Sequence, residues 1–219
     1  MKLRVLVCGG TGFIGTNLVN KFKKRKNIIL TATYLKSSPT KDKSVKWIKA
    51  DLRNKTKVYK IIKDQDIIIQ AAATTSGAKD ILNKPYLHVT DNAIMNSLIL
   101  QACYDLKVSR FIFFSCTVMY PSQKKPLKEI IIKEKNIYKS YFGVAKTKLY
   151  VEDLCRFYST ISKIKYTCIR HSNIYGPHDK FDLKKSHFFG ATINKIFNSK
   201  NKLLIWGQGT ERRDLLYID

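Results

Sequence analysis

Three glycines spaced three residues apart, Gly9, Gly12 and Gly15, constrain the fold of this chain more than any other feature. They follow the apolar segment Arg4–Cys8, which we predict to be a buried strand, and they precede a helix predicted over Thr16–Lys26. Glycine permits dihedral angles closed to other residues and lets the backbone approach a pyrophosphate, while a helix N-terminus offers unpaired N–H groups. At this position the pattern predicts a dinucleotide site, with an ordinary glycine-rich turn as the alternative.

Strands alternate with helices along the chain, which predicts an α/β fold with a doubly wound parallel sheet. The predicted strands are Arg4–Cys8, Ile28–Leu35, Val45–Ala50, Asp66–Ala71, Arg110–Ser115 and Lys165–Arg170. The predicted helices are Thr16–Lys26, Thr56–Lys63, Asp91–Leu106 and Ser140–Tyr158. In the third of these helices, the side predicted to be buried carries Ile94, Leu98, Cys103 and Leu106.

Charge and composition narrow the classes of partner. The chain has 219 residues, enough for one sizeable core, and a net charge of +25 from 41 Lys and Arg residues. Its lysines are spread along the whole chain, whereas a nucleic-acid site would cluster them on one element, so we predict no nucleic-acid partner. No apolar run approaches the roughly 18 residues that a membrane span needs, so we predict no membrane partner. Five cysteines without a paired motif indicate a reducing cytoplasm.

The region after the second predicted strand bears on the choice of cofactor. A dinucleotide fingerprint is usually followed, about 20 residues later, by an acid that binds the adenosine ribose. Here the first acidic residue is Asp42, and Lys36 stands earlier among Tyr34 and two serines. A cation with hydroxyls suits a 2′-phosphate, which favours NADP over NAD, although Lys36 as a solvated loop residue is the alternative. Asp51, at the end of the third strand, is placed to meet the adenine edge.

Four segments resemble the extended short-chain dehydrogenase/reductases of the NAD-dependent epimerase/dehydratase family, and GDP-L-fucose synthases in particular. They are Phe111–Pro121, Phe142–Lys146, Asn173–Phe181 with Ser186–His187 beyond it, and Trp206–Asp214. The resemblance covers residues 1–219 and implies a Rossmann domain over 1–170, followed by the start of a substrate lobe over 171–219. Because the family continues with further helices of that lobe, we expect the lobe to be truncated here.

The resemblance implies an NAD(P)-dependent epimerase, reductase or dehydratase that acts on a nucleotide-diphosphate sugar. In such enzymes a tyrosine exchanges a proton with a sugar hydroxyl while hydride moves between the sugar carbon and the nicotinamide. A lysine stabilises the phenolate and helps to bind the cofactor ribose, because an unperturbed tyrosine pKa of about 10 is too high for work near neutrality. We further expect a homodimer.

The chain departs from the family pattern where protons are transferred. Cys116, followed by Thr117, stands at the family's serine or threonine, and Phe142 stands four residues before Lys146. The neighbouring phenol is Tyr141, at a spacing of five, which does not share a face with Lys146 in a regular helix. Tyr141 can serve only if the regular helix begins after it or a bulge adds a residue. His187 matches the second acid/base of fucose synthases.

Two functions therefore remain open: a nucleotide-sugar enzyme, or a cofactor-binding protein with weak or no catalysis that acts as a sensor or partner subunit. The predicted catalytic residues are Tyr141, Lys146, Cys116, Thr117 and His187. The predicted cofactor-binding residues are Gly9, Thr11, Gly12, Phe13, Ile14, Gly15, Lys36, Asp51, Leu52, Ala71, Ala72, Ala73, Lys146, Asn173 and Ile174. The predicted substrate contacts are Asn173, His187 and Arg213, and no metal site is predicted.

Overall fold

The computed structural model contains a parallel six-stranded sheet flanked by helices, and a separate two-stranded sheet. It describes residues 2–40, 42–75, 83–121, 126–129, 132, 134–183, 186, 188–200, 202–203, 208–210 and 212–219. The strands are β1 (Leu3–Cys8), β2 (Ile28–Tyr34), β3 (Val45–Lys49), β4 (Ile67–Gln70), β5 (Arg110–Phe114), β6 (Lys165–Ile169), β7 (Asn173–Tyr175) and β8 (Leu215–Tyr217). The helices are α1 (Phe13–Phe22), α2 (Lys55–Ile62), α3 (Thr90–Asp105), α4 (Phe142–Ile161) and α5 (Phe188–Asn198).

The strands of the large sheet follow the order β3-β2-β1-β4-β5-β6 and all run parallel. The order reverses direction between β1 and β4, because the chain builds outward from β1 to one edge and then returns to build toward the other. Ligands of such sheets bind in the crevice at the carboxyl ends of the strands, at this reversal. The predicted doubly wound fold is therefore confirmed, and the glycine turn after β1 lies at the expected binding position.

Hydrophobic residues cover both faces of the large sheet. In β1, Val5 and Val7 belong to the core beneath α1, whereas Leu6 and Cys8 belong to the larger core beneath α2, α3 and α4. Side chains of successive strand residues point to opposite faces, so a strand covered on both sides must be apolar throughout. Three of the five cysteines, Cys8 among them, are buried, and all five are free thiols.

Two predicted helices begin at the wrong residues. Helix α1 starts at Phe13 inside the glycine motif, three residues before the predicted start, and ends at Phe22 rather than Lys26. Glycine is a poor helix former, which is why sequence reasoning started the helix after Gly15, yet close packing of the turn holds Gly15 within the first turn. Helix α4 starts at Phe142, after a short 3₁₀ turn over Lys139–Tyr141.

The predicted buried side of α3 is only partly right: Cys103 is buried and Leu98 packs against the core, whereas Ile94 and Leu106 are exposed. Its buried residues are Met95, Asn96, Ile99, Leu100, Ala102 and Cys103. Ile94 is 42% exposed and Leu106 is 36% exposed, whereas both were predicted to face the core. An apolar residue on a helix surface is common, because folded proteins do not have enough polar surface to cover themselves.

The C-terminal residues add three elements that the sequence reading did not predict. Strands β7 and β8 pair in parallel, with Asn173 opposite Leu215, and helix α5 lies between them in the chain. After β6, which ends at Ile169, the chain leaves the large sheet and its next strand belongs to the two-stranded sheet. The proposed boundary between residues 170 and 171 remains a prediction.

A buried ion pair joins α4 to the end of β6. The guanidinium of Arg170 donates to both carboxylate oxygens of Glu152, at 3.0 Å through Nε and 2.6 Å through Nη2. The hydroxyl of Ser115 also donates to this carboxylate, at 2.5 Å, and another Arg170 nitrogen donates to the Tyr120 hydroxyl at 2.7 Å. The Glu152 side chain is only 6% exposed. This network fixes the turn that follows β5 against α4 and β6.

We expect Glu152→Ala to lower the free energy of unfolding by about 3 kcal/mol, because it leaves a largely buried guanidinium without its partner. Urea denaturation measures the change. The matched control is Asp153→Ala on the same helix, whose ion pair with Arg156 is mostly exposed and should contribute about 0.5 kcal/mol or less. Equal losses in the two variants would contradict a structural role for the buried pair.

Candidate functional site

The turn after β1 leaves no space for side chains at three of its glycines, Gly9, Gly10 and Gly15. A β-carbon on Gly10 would lie 2.8 Å from Ala32 and from the Trp47 ring. Gly9 has a φ of +77°, which favours glycine, and a β-carbon built there would lie 2.6 Å from the Cα of Ala72. A β-carbon on Gly15 would lie 2.0 Å from the Gly9 carbonyl oxygen. Gly12 differs, since the contact of its β-carbon would be the same oxygen at 3.3 Å. Gly9, Gly10 and Gly15 are thus needed for packing, whereas a side chain at Gly12 would meet one close neighbour.

Hydrogen bonds hold the turn in place beside β2. The Gly9 amide donates to the Thr33 hydroxyl at 2.9 Å, and the Gly10 amide donates to the Thr33 carbonyl at 2.8 Å. Gly12 is the residue before α1, and among the described residues no side chain caps that helix. The first amides of α1, from Phe13 and Ile14, therefore lack partners within the helix and suit an anion at the N-terminus. The local geometry fits a dinucleotide pyrophosphate.

The loop after β4 forms the other wall of this crevice. The Ala71 amide donates to the Cys8 carbonyl at 3.1 Å, which continues the β1–β4 pairing by one bond. Beyond it, Ala72 and Ala73 line a cleft of about 80 Å³. The other residues that line this cleft are Thr75, His88, Asn92, Asn96, Phe113, Val144, Thr147, Lys148 and Val151. Small side chains at the strand end thus open directly into a cavity beside α3 and α4.

At the end of β3, Asp51 is held by an arginine that the sequence reading did not single out. Arg53 donates to both carboxylate oxygens of Asp51, at 3.0 and 2.7 Å, and reaches Asp91 at the start of α3 at 3.1 Å. These hydrogen bonds lower the pKa of Asp51. The carboxylate therefore stays ionised near neutrality. Leu52, beside it, is buried in the larger core.

Lys36 lies in the loop after β2, on the side of β1 where the adenosine half of a dinucleotide would lie. Its side chain is exposed. Tyr34, two residues earlier, packs edge-on against Trp47 with ring centroids 6.5 Å apart. The tyrosine is thereby tied to β3, whereas the lysine extends into solvent at the rim of the crevice.

Cys116 and Thr117 lie in the turn after β5. Cys116 packs against the small cluster of Met119, Ile137 and Ala145. Burial raises the pKa of the Cys116 thiol, and the opposing effect of the Lys148 charge is smaller. The thiol is therefore protonated near neutrality, as befits a packed residue rather than a nucleophile. The Thr117 carbonyl accepts from the Tyr120 amide at 3.1 Å and so shapes the turn.

The structure places Tyr141 before the regular helix. It is the last residue of the 3₁₀ turn, and its ring lies 6.1 Å from that of Tyr138. This is one of the two arrangements that would let Tyr141 act, although its role stays a prediction. Phe142 is 49% exposed. The Lys146 side chain is half-buried and contacts a neighbouring group. It is not among the residues that line the cleft.

Lys148 lines the cleft but, like Arg53, was not predicted from the sequence. Its ammonium donates to the Phe114 carbonyl at 2.6 Å and lies 4.6 Å from the centroid of the Phe113 ring. Burial lowers the pKa of Lys148. The available signal was helical periodicity, because Val144, Lys148 and Val151 follow the spacing i, i+4, i+7 of one helix face. Lys148 thus shares with two valines the helix face that lines the cleft.

Two of the three predicted substrate contacts, Asn173 and Arg213, lie near β7 and β8. The Asn173 side chain donates to the Asp214 carbonyl at 3.1 Å, and the Arg213 guanidinium lies 5.1 Å from the centroid of the Phe188 ring. Ile174 and Ile14 line the same groove of about 150 Å³ between α1 and β8. The parallel pair thus brings Asn173 close to the Arg213 segment. His187 lies outside the described residues.

Neither a metal-binding cluster nor a membrane-spanning helix is present among the described residues. Within them, no group of three His, Cys, Asp or Glu side chains is placed to hold a metal ion. No helix in the same part of the chain has the length and apolar character needed to cross a membrane.

Known proteins are similar to this chain in sequence and in fold. The chain is 28% identical to the GDP-L-fucose synthase of Azorhizobium caulinodans over 221 residues, covering 98% of this chain and 67% of that protein. The UDP-N-acetylglucosamine 4-epimerase of Methanobrevibacter ruminantium M1, solved with UDP-N-acetylmuramic acid, superposes with a TM-score of 0.85 at 25% identity, covering 100% of this chain and 70% of its own. The UDP-glucuronic acid 4-epimerase of Bacillus cereus, solved with UDP-glucuronic acid and NAD, gives 0.83 at 27% identity, covering 99% and 69%.

The strand order and the glycine turn define a dinucleotide-binding protein of the Rossmann type. The chain belongs to the NAD dependent epimerase/dehydratase family, whose profile matches residues 5–219. The resemblance drawn from the sequence motifs is confirmed at this level, and NAD(P) is the cofactor class that the family uses.

We expect Gly12→Val to weaken NAD(P) binding by tenfold or more, because the side chain would occupy the approach of the pyrophosphate to α1. The fold should persist, since a β-carbon there has one close neighbour. Isothermal titration calorimetry measures the affinity. Asn54→Ala is the matched control, because it removes the side-chain cap of α2 at a comparable cost in stability yet lies away from the glycine turn. Full affinity in Gly12→Val would show that the cofactor binds elsewhere.

Proposed function

We propose that this chain binds NAD(P) and acts on a nucleotide-diphosphate sugar as an epimerase, reductase or dehydratase. The observation that carries the proposal is the packing of the glycine turn against Ala72 at the reversal point of the sheet. Its similarity to enzymes named for GDP-linked and UDP-linked sugars supports the substrate class. The bound cofactor would supply hydride exchange at a sugar carbon, and the protein would supply binding, orientation and proton transfer.

The residues proposed to bind the cofactor are ones that the sequence motifs already indicated. The amides at the start of α1 would bind the pyrophosphate, and Asp51, fixed by Arg53, would lie beside the adenine. We propose NADP as the preferred form, because Lys36 is exposed at the rim where a 2′-phosphate would lie and no acidic residue precedes Asp42 in the chain. A lysine binds phosphate as a point charge.

The substrate half rests on the C-terminal residues. Arg213 offers a guanidinium suited to phosphate oxygens, and Asn173 lies on the neighbouring strand. His187 is proposed as a second acid/base by its match to the fucose synthases. The excess of basic residues would also attract a diphosphate electrostatically.

We propose a homodimer in the cytoplasm. Exposed apolar side chains on α3 and α4 support the dimer, since a surface of this kind often marks an interface. They include Ile94, Tyr150, Phe157 and Ile161, each more than 40% exposed. Five unpaired thiols support a reducing compartment.

A second candidate function is a cofactor-binding protein with little catalysis, acting as a sensor or partner subunit. Phe142 favours it, because the position four residues before Lys146 has no hydroxyl to exchange a proton. Protonated and packed Cys116 favours it as well, since a thiol is a weak hydrogen-bond donor toward a substrate oxygen.

Substitution of Tyr141, the tyrosine next to Phe142, distinguishes the two candidate functions. If the chain is an active enzyme, Tyr141→Phe should lower turnover of a nucleotide sugar by about 10²–10⁴, the usual effect of losing a positioned acid or base. NADP affinity should be unchanged. Cofactor absorbance at 340 nm follows net oxidation or reduction, and chromatographic separation of products follows epimerisation, where the cofactor is regenerated.

Tyr138→Phe is the matched control, because Tyr138 is 68% exposed and packs beside Tyr141. Full activity of Tyr141→Phe would remove Tyr141 from the mechanism. A parent protein that binds NADP but turns over none of a panel of GDP-linked and UDP-linked sugars would favour the second candidate.

A further inference from the structure

Helix α4 packs on strand β6 along a seam where side chains of the two elements meet in successive pairs. The ion pair of Glu152 with Arg170 lies at one end of this seam. Cys155 follows Glu152 by three residues, which places both on one face of the helix, and Cys168 precedes Arg170 by two, which places both on one side of an extended chain. The Cys155 and Cys168 thiols meet one step further along, where they hydrogen-bond to each other.

The two thiols differ in their access to solvent. Cys155 is only 2% exposed and belongs to the larger core, which also holds Cys8 and Cys103. Cys168 packs against the same core but is half-buried, and it lies on the last strand in the order of the large sheet. A small reagent from solvent therefore reaches Cys168 before it reaches Cys155.

The hydrogen bond between the thiols also divides their chemical roles. Donation from the Cys155 thiol lowers the pKa of Cys168, against the smaller opposing effect of burial. The same hydrogen bond, together with burial, raises the pKa of Cys155. Since the thiolate is the nucleophile, Cys168 is the thiol that reacts and Cys155 is the one that stays protonated beside it. An accessible reactive thiol next to a second thiol is the arrangement that redox-sensing cysteines use.

We propose that Cys155 and Cys168 form a reversible disulfide, joining α4 to β6, when the protein meets a peroxide. The Cys168 sulfur attacks one peroxide oxygen, the O–O bond breaks, and the leaving hydroxide takes the Cys168 proton to become water. The Cys155 sulfur then attacks the resulting sulfenic acid, so that the S–S bond forms, the S–O bond breaks and a second water leaves with the Cys155 proton. Two thiols are oxidised by two electrons, which reduce the peroxide to two waters.

A reducing compartment is compatible with this modification, because disulfides of cytosolic proteins are usually transient and redox-sensing. A dithiol reductant would reverse it by exchange through a mixed disulfide. The inference does not rest on the proposed function, since it uses no residue assigned to the cofactor or the substrate.

Peptide mapping of the unmodified protein tests the pairing. The native protein is exposed briefly to hydrogen peroxide, its remaining thiols are alkylated, and its peptides are analysed by mass spectrometry. We expect one linked peptide pair, joined through Cys155 and Cys168 and lacking two hydrogen atoms, and a fall from five titratable thiols per denatured chain to three. Dithiothreitol should restore all five. No disulfide, or one that joins Cys155 to Cys103 or links two chains, would overturn the inference.

Three matched alanine variants test the order of the two steps. Cys155→Ala removes the second thiol, so peroxide should leave a sulfenic acid on Cys168 that dimedone traps. Cys168→Ala should slow the oxidation of Cys155 about tenfold or more, because the exposed nucleophile is gone. Cys103→Ala is the control and should form the disulfide at roughly the rate of the parent, since Cys103 is fully buried outside the seam. Equal oxidation of Cys155 in Cys168→Ala and the parent would contradict the proposed order.

Thermal unfolding tests whether the bond forms in the native packing. A disulfide between neighbours that already touch should raise the unfolding midpoint of the oxidised protein by about 5 °C, because it restricts the unfolded chain without distorting the folded one. The rise should be absent in Cys155→Ala treated in the same way. An oxidised parent that unfolds at the same or a lower temperature than the reduced one would contradict formation of the bond within the intact seam.

Discussion

The turn after β1 packs against the start of α1 on one side and the loop after β4 on the other, with no room for side chains between them. Gly15 approaches the Gly9 carbonyl so closely that a β-carbon would stand 2.0 Å from it, and Gly9 approaches the Ala72 backbone in the same way. These contacts bring the amide end of α1 to the edge of the sheet. The position of the crevice, and of every residue proposed to line it, depends on them.

Around this fixed point the two halves of the site differ in how they are built. The cofactor half consists mainly of backbone and small side chains, which suits a ligand recognised through its phosphates. The other half depends on α4, which the Arg170–Glu152 ion pair ties to β6 and to the turn after β5. Because that ion pair is largely buried, the direction in which α4 presents each of its lysines is set by packing as well as by sequence.

Much of the fold was predictable because the signals were local. Alternation of apolar strands with helices gave the sheet, and every predicted strand overlaps an observed one. The errors arose where tertiary packing determines where a helix begins or which of its faces is buried. Helix α1 begins inside the glycine motif because the turn is held on both sides, and Ile94 is exposed because the helix is rotated relative to the predicted face. Strands β7 and β8 are three residues each, too short for periodicity to reveal.

In the candidate site too, local sequence signals predicted some residues, whereas tertiary packing decides the position of others. The glycine motif and Ala71–Ala73 were found from sequence, because their function needs specific residue types at fixed spacing. Lys148 was missed because the family motif directed attention to Lys146, and the direction of a side chain depends on how the helix is rotated. Arg53 was missed because an ion pair between the loop after β3 and the start of α3 leaves no mark in the spacing of residues.

We propose above all that this chain holds a dinucleotide site with a preference for NADP. Calorimetric titration of the unmodified protein with NADP⁺ and with NAD⁺ tests it most directly. We expect saturable binding of one nucleotide per chain, with NADP⁺ favoured about tenfold, or about 1.4 kcal/mol. Equal constants or tighter NAD⁺ would contradict the role of Lys36, and no saturable binding of either nucleotide would contradict the site itself.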